Sequence, residues 1–165
     1  MNNNSILRRL RFTFDFNDNK MIELFDLAGK TVTRAEVSDW LKKDDDENFK
    51  NLNDQHLAYF LNGFIILNRG KKEGEAPLAE KKLNNNIIFR KLKIALNYRD
   101  EDIINVYELM NFQISKHELS AFFRKPDHQH YRLCKDQFLR NFIQGLQLKH
   151  ASDRLSKNED FGDDY

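Results

Sequence analysis

Val32-Thr-Arg-Ala-Glu-Val-Ser-Asp-Trp-Leu-Lys-Lys43 returns 82 residues later as Ile114-Ser-Lys-His-Glu-Leu-Ser-Ala-Phe-Phe-Arg-Lys125. In each stretch a Ser or Thr is followed three residues on by Glu, the capping box that opens a helix: Thr33 with Glu36, Ser115 with Glu118. The apolar residue before each cap, Val32 or Ile114, pairs with Val37 or Leu119 at the fourth helical position to form a hydrophobic staple. A cap of this kind contributes roughly 1 kcal/mol. Trp40-Leu41 and Phe122-Phe123 supply a buried face. Lys42-Lys43 and Arg124-Lys125 place positive charge at the negative end of the helix dipole. Pro126 is expected to stop the second of these helices.

The offset of 82 extends well beyond that stretch. Residues 2–68 fall on 84–150 without a gap: Asn2-Asn3-Asn4 on Asn84-Asn85-Asn86, Arg8 on Arg90, Asp18 on Asp100, Asp54-Gln55 on Asp136-Gln137, Gly63 on Gly145. Leu7, Leu10 and Phe14 recur at helical spacing, as do Phe89, Leu92 and Leu96, so each copy opens with a helix capped from its Asn triplet. Asp18 and Asp100 are read as caps of a second helix, ended by Gly29 and Asn111, residues that tolerate the left-handed conformation. Asp54 and Asp136 are read as caps of a fourth, with Gly63 and Gly145 well inside it. A Gly kept at one interior position in both copies marks a close helix crossing. No segment alternates as a strand does. The expectation is an all-α fold of two tandem four-helix repeats related by a pseudo-twofold: repeat one at 1–69, linker at 70–82, repeat two at 83–150, and an acidic disordered tail at 151–165.

Each copy is near the lower limit for folding alone, so the two are expected to stabilise one another by packing together. The single Cys134 excludes an intramolecular disulfide and fits a reducing compartment. No signal peptide is read at the N-terminus, and the richest apolar stretch, Phe60 to Leu67, is too short to span a bilayer. The reading is a soluble cytoplasmic protein without a membrane role. Net charge is +1 but uneven: repeat one has ten basic and eleven acidic residues, and residues 83–150 have eleven and seven.

The motifs Asn-Asn-x-x-Leu-Arg-Arg-Leu-Arg11, Met21-Ile-Glu-Leu-Phe-x-Leu-Ala-Gly29 and Val32-Thr-Arg-x-Glu-Val-Ser-x-Trp-Leu-Lys-Lys43 resemble the YehS-like family of small bacterial proteins. Leu83-Asn-Asn-Asn-Ile87 and Phe122-Phe-Arg-Lys-Pro126 resemble it too. The resemblance spans the chain except the tail. It implies a bacterial cytoplasmic source and a duplicated helical domain, and carries over no catalytic residue, because that family is itself uncharacterised.

Polar residues repeated in both copies are where function would show, and most have a structural reading. The Asp and Glu residues named above cap helices, and Lys43 and Lys125 offset a helix end. Left over are the Asn triplets, Arg8 and Arg90, Ser38 and Ser120, Asp45 and Asp127, and Gln55 and Gln137. Arg8 and Arg90, flanked by Arg9, Arg11, Lys91 and Lys93, give the first helix a basic face, either solvated or bonded to a neighbouring helix end. Ser38 and Ser120 lack a positioned base repeated in both copies, so a nucleophilic role has no partner. His128 and His130, with Cys134 nearby, are weak metal candidates at a spacing that matches no standard zinc motif. There is no phosphate loop, dinucleotide fingerprint or metalloprotease motif. No cofactor is implied and nothing points positively to an enzyme.

Two functions remain. The first is a non-catalytic binding or adaptor module for a protein partner, since paired helical units make grooves that accept partner segments. The second is a nucleic-acid-binding regulator, because the second helix, short turn and third helix scan as a helix-turn-helix. There the contacts would come from Arg8, Arg34, Lys42, Arg90, Lys91, Lys116, Ser120, Arg124 and Lys125. Asp39 and the run Asp44-Asp-Asp-Glu47 speak against it, because phosphate binding needs a strong basic footprint.

Overall fold

A computed structural model describes residues 1–71 and 77–162, with side chains as far as Lys157. The described residues are helical and contain no strand. Repeat one comprises α1 (Asn3–Phe14), α2 (Asp18–Leu27), α3 (Arg34–Leu41) and α4 (Asp54–Arg69). Repeat two comprises α5 (Asn85–Leu96), α6 (Asp100–Leu109), α7 (Lys116–Ala121) and α8 (Asp136–Gly162). Both capping boxes form, at Thr33–Glu36 and Ser115–Glu118. All four staple residues, Val32, Val37, Ile114 and Leu119, are buried. The left-handed positions also recur: Asp15 and Asn97 close α1 and α5 at φ 55°, and Gly29 and Asn111 follow α2 and α6 at φ 87° and 53°.

Several helix ends differ from expectation; at the start of α8, Asp136 is the first helical residue and not the cap. The cap of α2 is Asn17, whose side chain accepts the Lys20 N–H, and that of α4 is Asn53, which accepts the His56 N–H. Asp18 and Asp54 are the first helical residues, where a carboxylate favours the dipole without capping. Helix α6 starts after Arg99, whose N–H donates to Asp102 at 2.7 Å, and Asp100 instead pairs with Lys93. Helix α7 ends at Ala121, five residues before Pro126. There the chain tightens into a turn, with the Phe123 N–H on the Ser120 carbonyl at 3.1 Å, while Phe122 is fully buried and Phe123 packs at the margin of the core.

Within each repeat the fourth helix packs on the second. Gly63 lies against the backbone of Leu24, and a Cβ there would overlap the Leu24 carbonyl. A Cβ on Gly145 would stand 2.7 Å from the Val106 carbonyl oxygen. Both interior glycines therefore permit a helix crossing at backbone distance.

Between the repeats the first helix of each lies along the fourth helix of the other: α5 on α4, and α1 on α8. The pairs run parallel and in the same register. The Leu83 N–H donates to Asp54 Oδ2 at 2.8 Å, and the Met1 amine, at the position equivalent to Leu83, donates to Asp136 Oδ2 at 3.4 Å. The reciprocal exchange realises the pseudo-twofold and merges both halves into one apolar core that includes Leu10, Phe25, Phe60, Phe89, Phe122 and Phe142. Burying one such side chain contributes about 1.5–3 kcal/mol.

Two segments between and after the repeats differ from a plain linker and tail. Within 70–82, residues 72–76 lie outside the described residues, whereas Ala79 is buried and Glu80 pairs with Lys91. The stretch 151–165, expected to be a disordered tail, continues α8 as a helix to Gly162. Residues 163–165 lie outside the described residues. No Pro or internal Gly interrupts that extension, and Arg154 fastens it by donating to the Thr13 carbonyl at 2.9 Å.

Candidate functional site

The Asn triplets are clasps. Asn2 and Asn84 cap α1 and α5. Asn3 Nδ2 donates to the Leu52 carbonyl and to Asp54 Oδ1, and Asn85 makes the same pair of bonds to Cys134 and Asp136. Asn4 is fully buried. Its Nδ2 donates to the carbonyls of Trp40 (2.9 Å) and Lys50 (2.8 Å), and its Oδ1 accepts the Leu52 N–H (3.0 Å). Asn86 repeats all three bonds with Phe122, Arg132 and Cys134. Each buried Asn thus satisfies three backbone groups, a carbonyl at the end of the repeat's third helix and a carbonyl and an N–H in the loop that leads to its fourth. Asp54 and Asp136 join a first-repeat and a second-repeat donor. The Asn85 amide, and then the Met1 ammonium, hold the Asp136 carboxyl below its usual range.

Arg8 donates to the Lys42 carbonyl at 2.8 Å, and Arg90 to the Phe123 carbonyl at 2.8 Å, so both satisfy the end of the third helix of their repeat. Arg34 donates to Asn19 at 2.6 Å and stands 3.7 Å from Asp18; Lys116, its equivalent, pairs with Glu101 at 3.0 Å. Lys42 Nζ pairs with Asp39 at 2.6 Å. Arg124 donates to the His130 carbonyl at 3.3 Å, Ser120 Oγ to the His117 carbonyl at 3.0 Å, and Lys125 is exposed beyond α7. Lys91 lies apart from these, between α4 and the linker, bonded to Asn62 at 2.6 Å and Glu80 at 2.9 Å. Arg8 meets the Lys42 backbone, whereas Arg34 and Lys116 turn back to the start of the preceding helix in their own repeats.

His128 and His130 lie in an exposed loop with ring centroids 5.6 Å apart, and His128 Nδ1 accepts the His130 N–H at 3.0 Å. Cys134 is directed away from them into the core, where its equivalent is Leu52, and burial pushes its thiol up to about 12. Among the described residues no group of three or more His, Cys, Asp or Glu gathers. Two shallow clefts stand at helix ends, one lined by Asn68, Arg69 and Asn97, the other by Asn2, Arg8 and Asp44.

The feature that sequence reasoning missed is apolar. Phe12 on α1 and Leu148 and Leu155 on α8 are 63%, 46% and 64% exposed. The Arg154–Thr13 bond places Phe12 and Leu155 beside the same contact. Phe12 follows the helical stripe imperfectly, and Leu155 sits in the charged tail. Their spacing alone therefore signalled nothing until α8 was seen to continue past α1. Among the described residues no helix is long and apolar enough to cross a membrane.

A family profile described as a protein of unknown function (DUF1456) matches residues 3–70 and 85–151. The chain is similar to the uncharacterized protein YehS of Escherichia coli (strain K12), 39% identical over 147 residues that cover 88% of this chain and 94% of that one. No solved structure matches. The two matched segments coincide with the two interlocked repeats, and the chain belongs to this family of duplicated helical proteins of unknown function.

Proposed function

We propose that the protein is a non-catalytic binding module for a protein partner, acting in the cytoplasm, and that the partner docks on the α1–α8 face. The observation that carries this reading is the exposure of Phe12, Leu148 and Leu155 on that face. Large exposed apolar side chains gathered on one side of a well-packed domain are characteristic of an interaction surface. The repeated polar residues add support from the other direction, because Asn4, Asn86, Arg8 and Arg90 are all engaged in holding backbone groups.

The alternative, nucleic-acid binding through α3 and α7, has less behind it. Arg34, Lys42 and Lys116 each have a carboxylate within 4 Å, which weakens the basic footprint that phosphate binding needs. Affinity capture with the wild-type protein and a Phe12→Asp/Leu155→Asp variant separates the two. The expected result is one stoichiometric protein partner, lost with the variant while its circular dichroism is unchanged. A partner held equally by the variant would sink the proposed face. Salt-sensitive retention on duplex DNA, lost on Arg34→Glu/Lys116→Glu, would establish the alternative instead.

A further inference from the structure

The pseudo-twofold generates two equivalent grooves, one between α4 and α5 and one between α8 and α1, and among the described residues only the first is covered. There the linker crosses in an irregular, extended form. Asn62 Nδ2 points to the carbonyls of Pro77 (3.5 Å) and Leu78 (3.4 Å), and Lys91 Nζ pairs with Glu80 at 2.9 Å. Ala79 is buried while Leu78 is 84% exposed, the alternation of an extended segment laid on a surface. Under this cover Asn62 is fully buried and the Lys91 side chain is 11% exposed.

The second groove offers the same chemistry. Gln144 stands at the place of Asn62 and is exposed, and Arg9 stands at the place of Lys91. One turn on, Leu148 replaces Ile66, which is buried, and Phe12 replaces Ile94. Among the described residues no segment crosses this groove, and Arg9 has no carboxylate within ion-pair distance. Gln144 carries the same donor and acceptor as Asn62 on a longer arm. The Arg9 guanidinium suits a carboxylate better than the ammonium of Lys91, because it can donate two parallel bonds.

We propose that the α1–α8 groove binds an extended acidic segment of the partner protein in the register that residues 77–80 adopt on α4–α5. The segment presents main-chain carbonyls to Gln144 and a small apolar residue between the helices. The next residue places a carboxylate on Arg9, and flanking apolar side chains rest on Phe12 and Leu148. Main-chain bonds then give affinity and the alternating side chains give selectivity. This rests on the protein-binding reading above and names the class of ligand for that face.

The linker itself supplies the probe: a capped peptide with the sequence of residues 75–81, Glu-Ala-Pro-Leu-Ala-Glu-Lys. Titrated into the untagged, nitrogen-15-labelled full chain, it is expected to give saturable amide shifts at Arg9, Gln144 and Leu148. Arg9→Glu, or a peptide with Lys at the position of Glu80, should weaken binding by about tenfold or more, the loss of one charge-assisted bond. The Arg9→Glu protein should recover affinity for the Lys peptide. The melting temperature of Arg9→Glu checks that the fold is intact.

No shift at millimolar peptide, or shifts confined to Asn62 and Lys91, overturns the inference. So does concentration-dependent self-association abolished by Arg9→Glu, which would make a second copy the occupant. Shifts of the same amides by duplex DNA, lost in Arg9→Glu, would likewise assign the groove to phosphate. A captured partner that binds unchanged to Arg9→Glu/Leu148→Ser leaves the protein-binding reading standing and removes only this groove.

Discussion

Asn4 and Asn86 show how a repeated polar residue can be wholly architectural. Each is enclosed in the core and satisfies a carbonyl at the end of its repeat's third helix, and a carbonyl and an N–H of the loop that leads to the fourth. Asn4→Ala leaves those groups buried without partners, and each such group costs about 1–3 kcal/mol. The expected loss is roughly 3 kcal/mol or more, read from the urea midpoint, with a similar loss for Asn86→Ala. A loss below about 1 kcal/mol at both sites would mean that water replaces the amide. His150 is a second residue with a defined consequence. Its ring sits edge-on to Phe14 at 4.7 Å, and burial lowers its pKa below 6.5, against the opposing pull of Asp153. Burial also lowers the pKa of His56, with Lys30 adding to the effect. Below pH 6.5 the unfolded chain takes up protons that the folded chain refuses, so stability is full above that pH. It declines as pH falls from 6.5 through the lowered values. The His56→Gln/His150→Gln variant should flatten the urea midpoint between about pH 7 and 5; a slope equal to that of the wild type would show that other groups carry it.

At the scale of elements, Gly63 and Gly145 test the crossings of α4 on α2 and α8 on α6. Propensity alone favours Ala over Gly inside a helix by about 1 kcal/mol. Gly63→Ala nevertheless forces the backbone of Leu24 away and is expected to destabilise by about 3 kcal/mol, at the upper end of overpacking effects. Gly145→Ala meets a flexible Val106 methyl as well as backbone, and should be milder in thermal unfolding. The reverse order would contradict the crossing geometry. These elements also mark how far the sequence could be read. Capping boxes, staples and interior glycines were legible because each follows from local spacing. The cap positions were misplaced by one residue at Asn17-Asp18 and Asn53-Asp54, where two good capping residues are adjacent and only backbone geometry chooses between them. The end of α7 was misplaced because Pro126 is a strong local stop signal, whereas the helix already tightens into a turn at Phe122 and Phe123. The length of α8 was hidden because charge made 151–162 look solvated, whereas the Arg154–Thr13 bond ties it down.

For the whole molecule, the pairing of α1 with α8 and of α5 with α4 had no sequence signature, since identical repeats are compatible with beads on a linker as well as with reciprocal packing. The basic residues chosen as candidate contacts were legible as a set, but their carboxylate partners and the near enclosure of Lys91 were not, because Arg34, Lys116 and Lys91 reach across elements. The α1–α8 groove has no sequence signature either, because it arises from the in-register packing of one repeat on the other. Neither repeat completes its core alone, so the two should unfold as one unit. Nature supplies one reporter for each half: Trp40 packed on Phe25 in repeat one, and the buried thiol of Cys134 in repeat two. Urea unfolding followed by Trp40 fluorescence and by alkylation of Cys134 should give one shared midpoint, and two separated midpoints would show that the repeats fold independently and contradict the interlocked architecture.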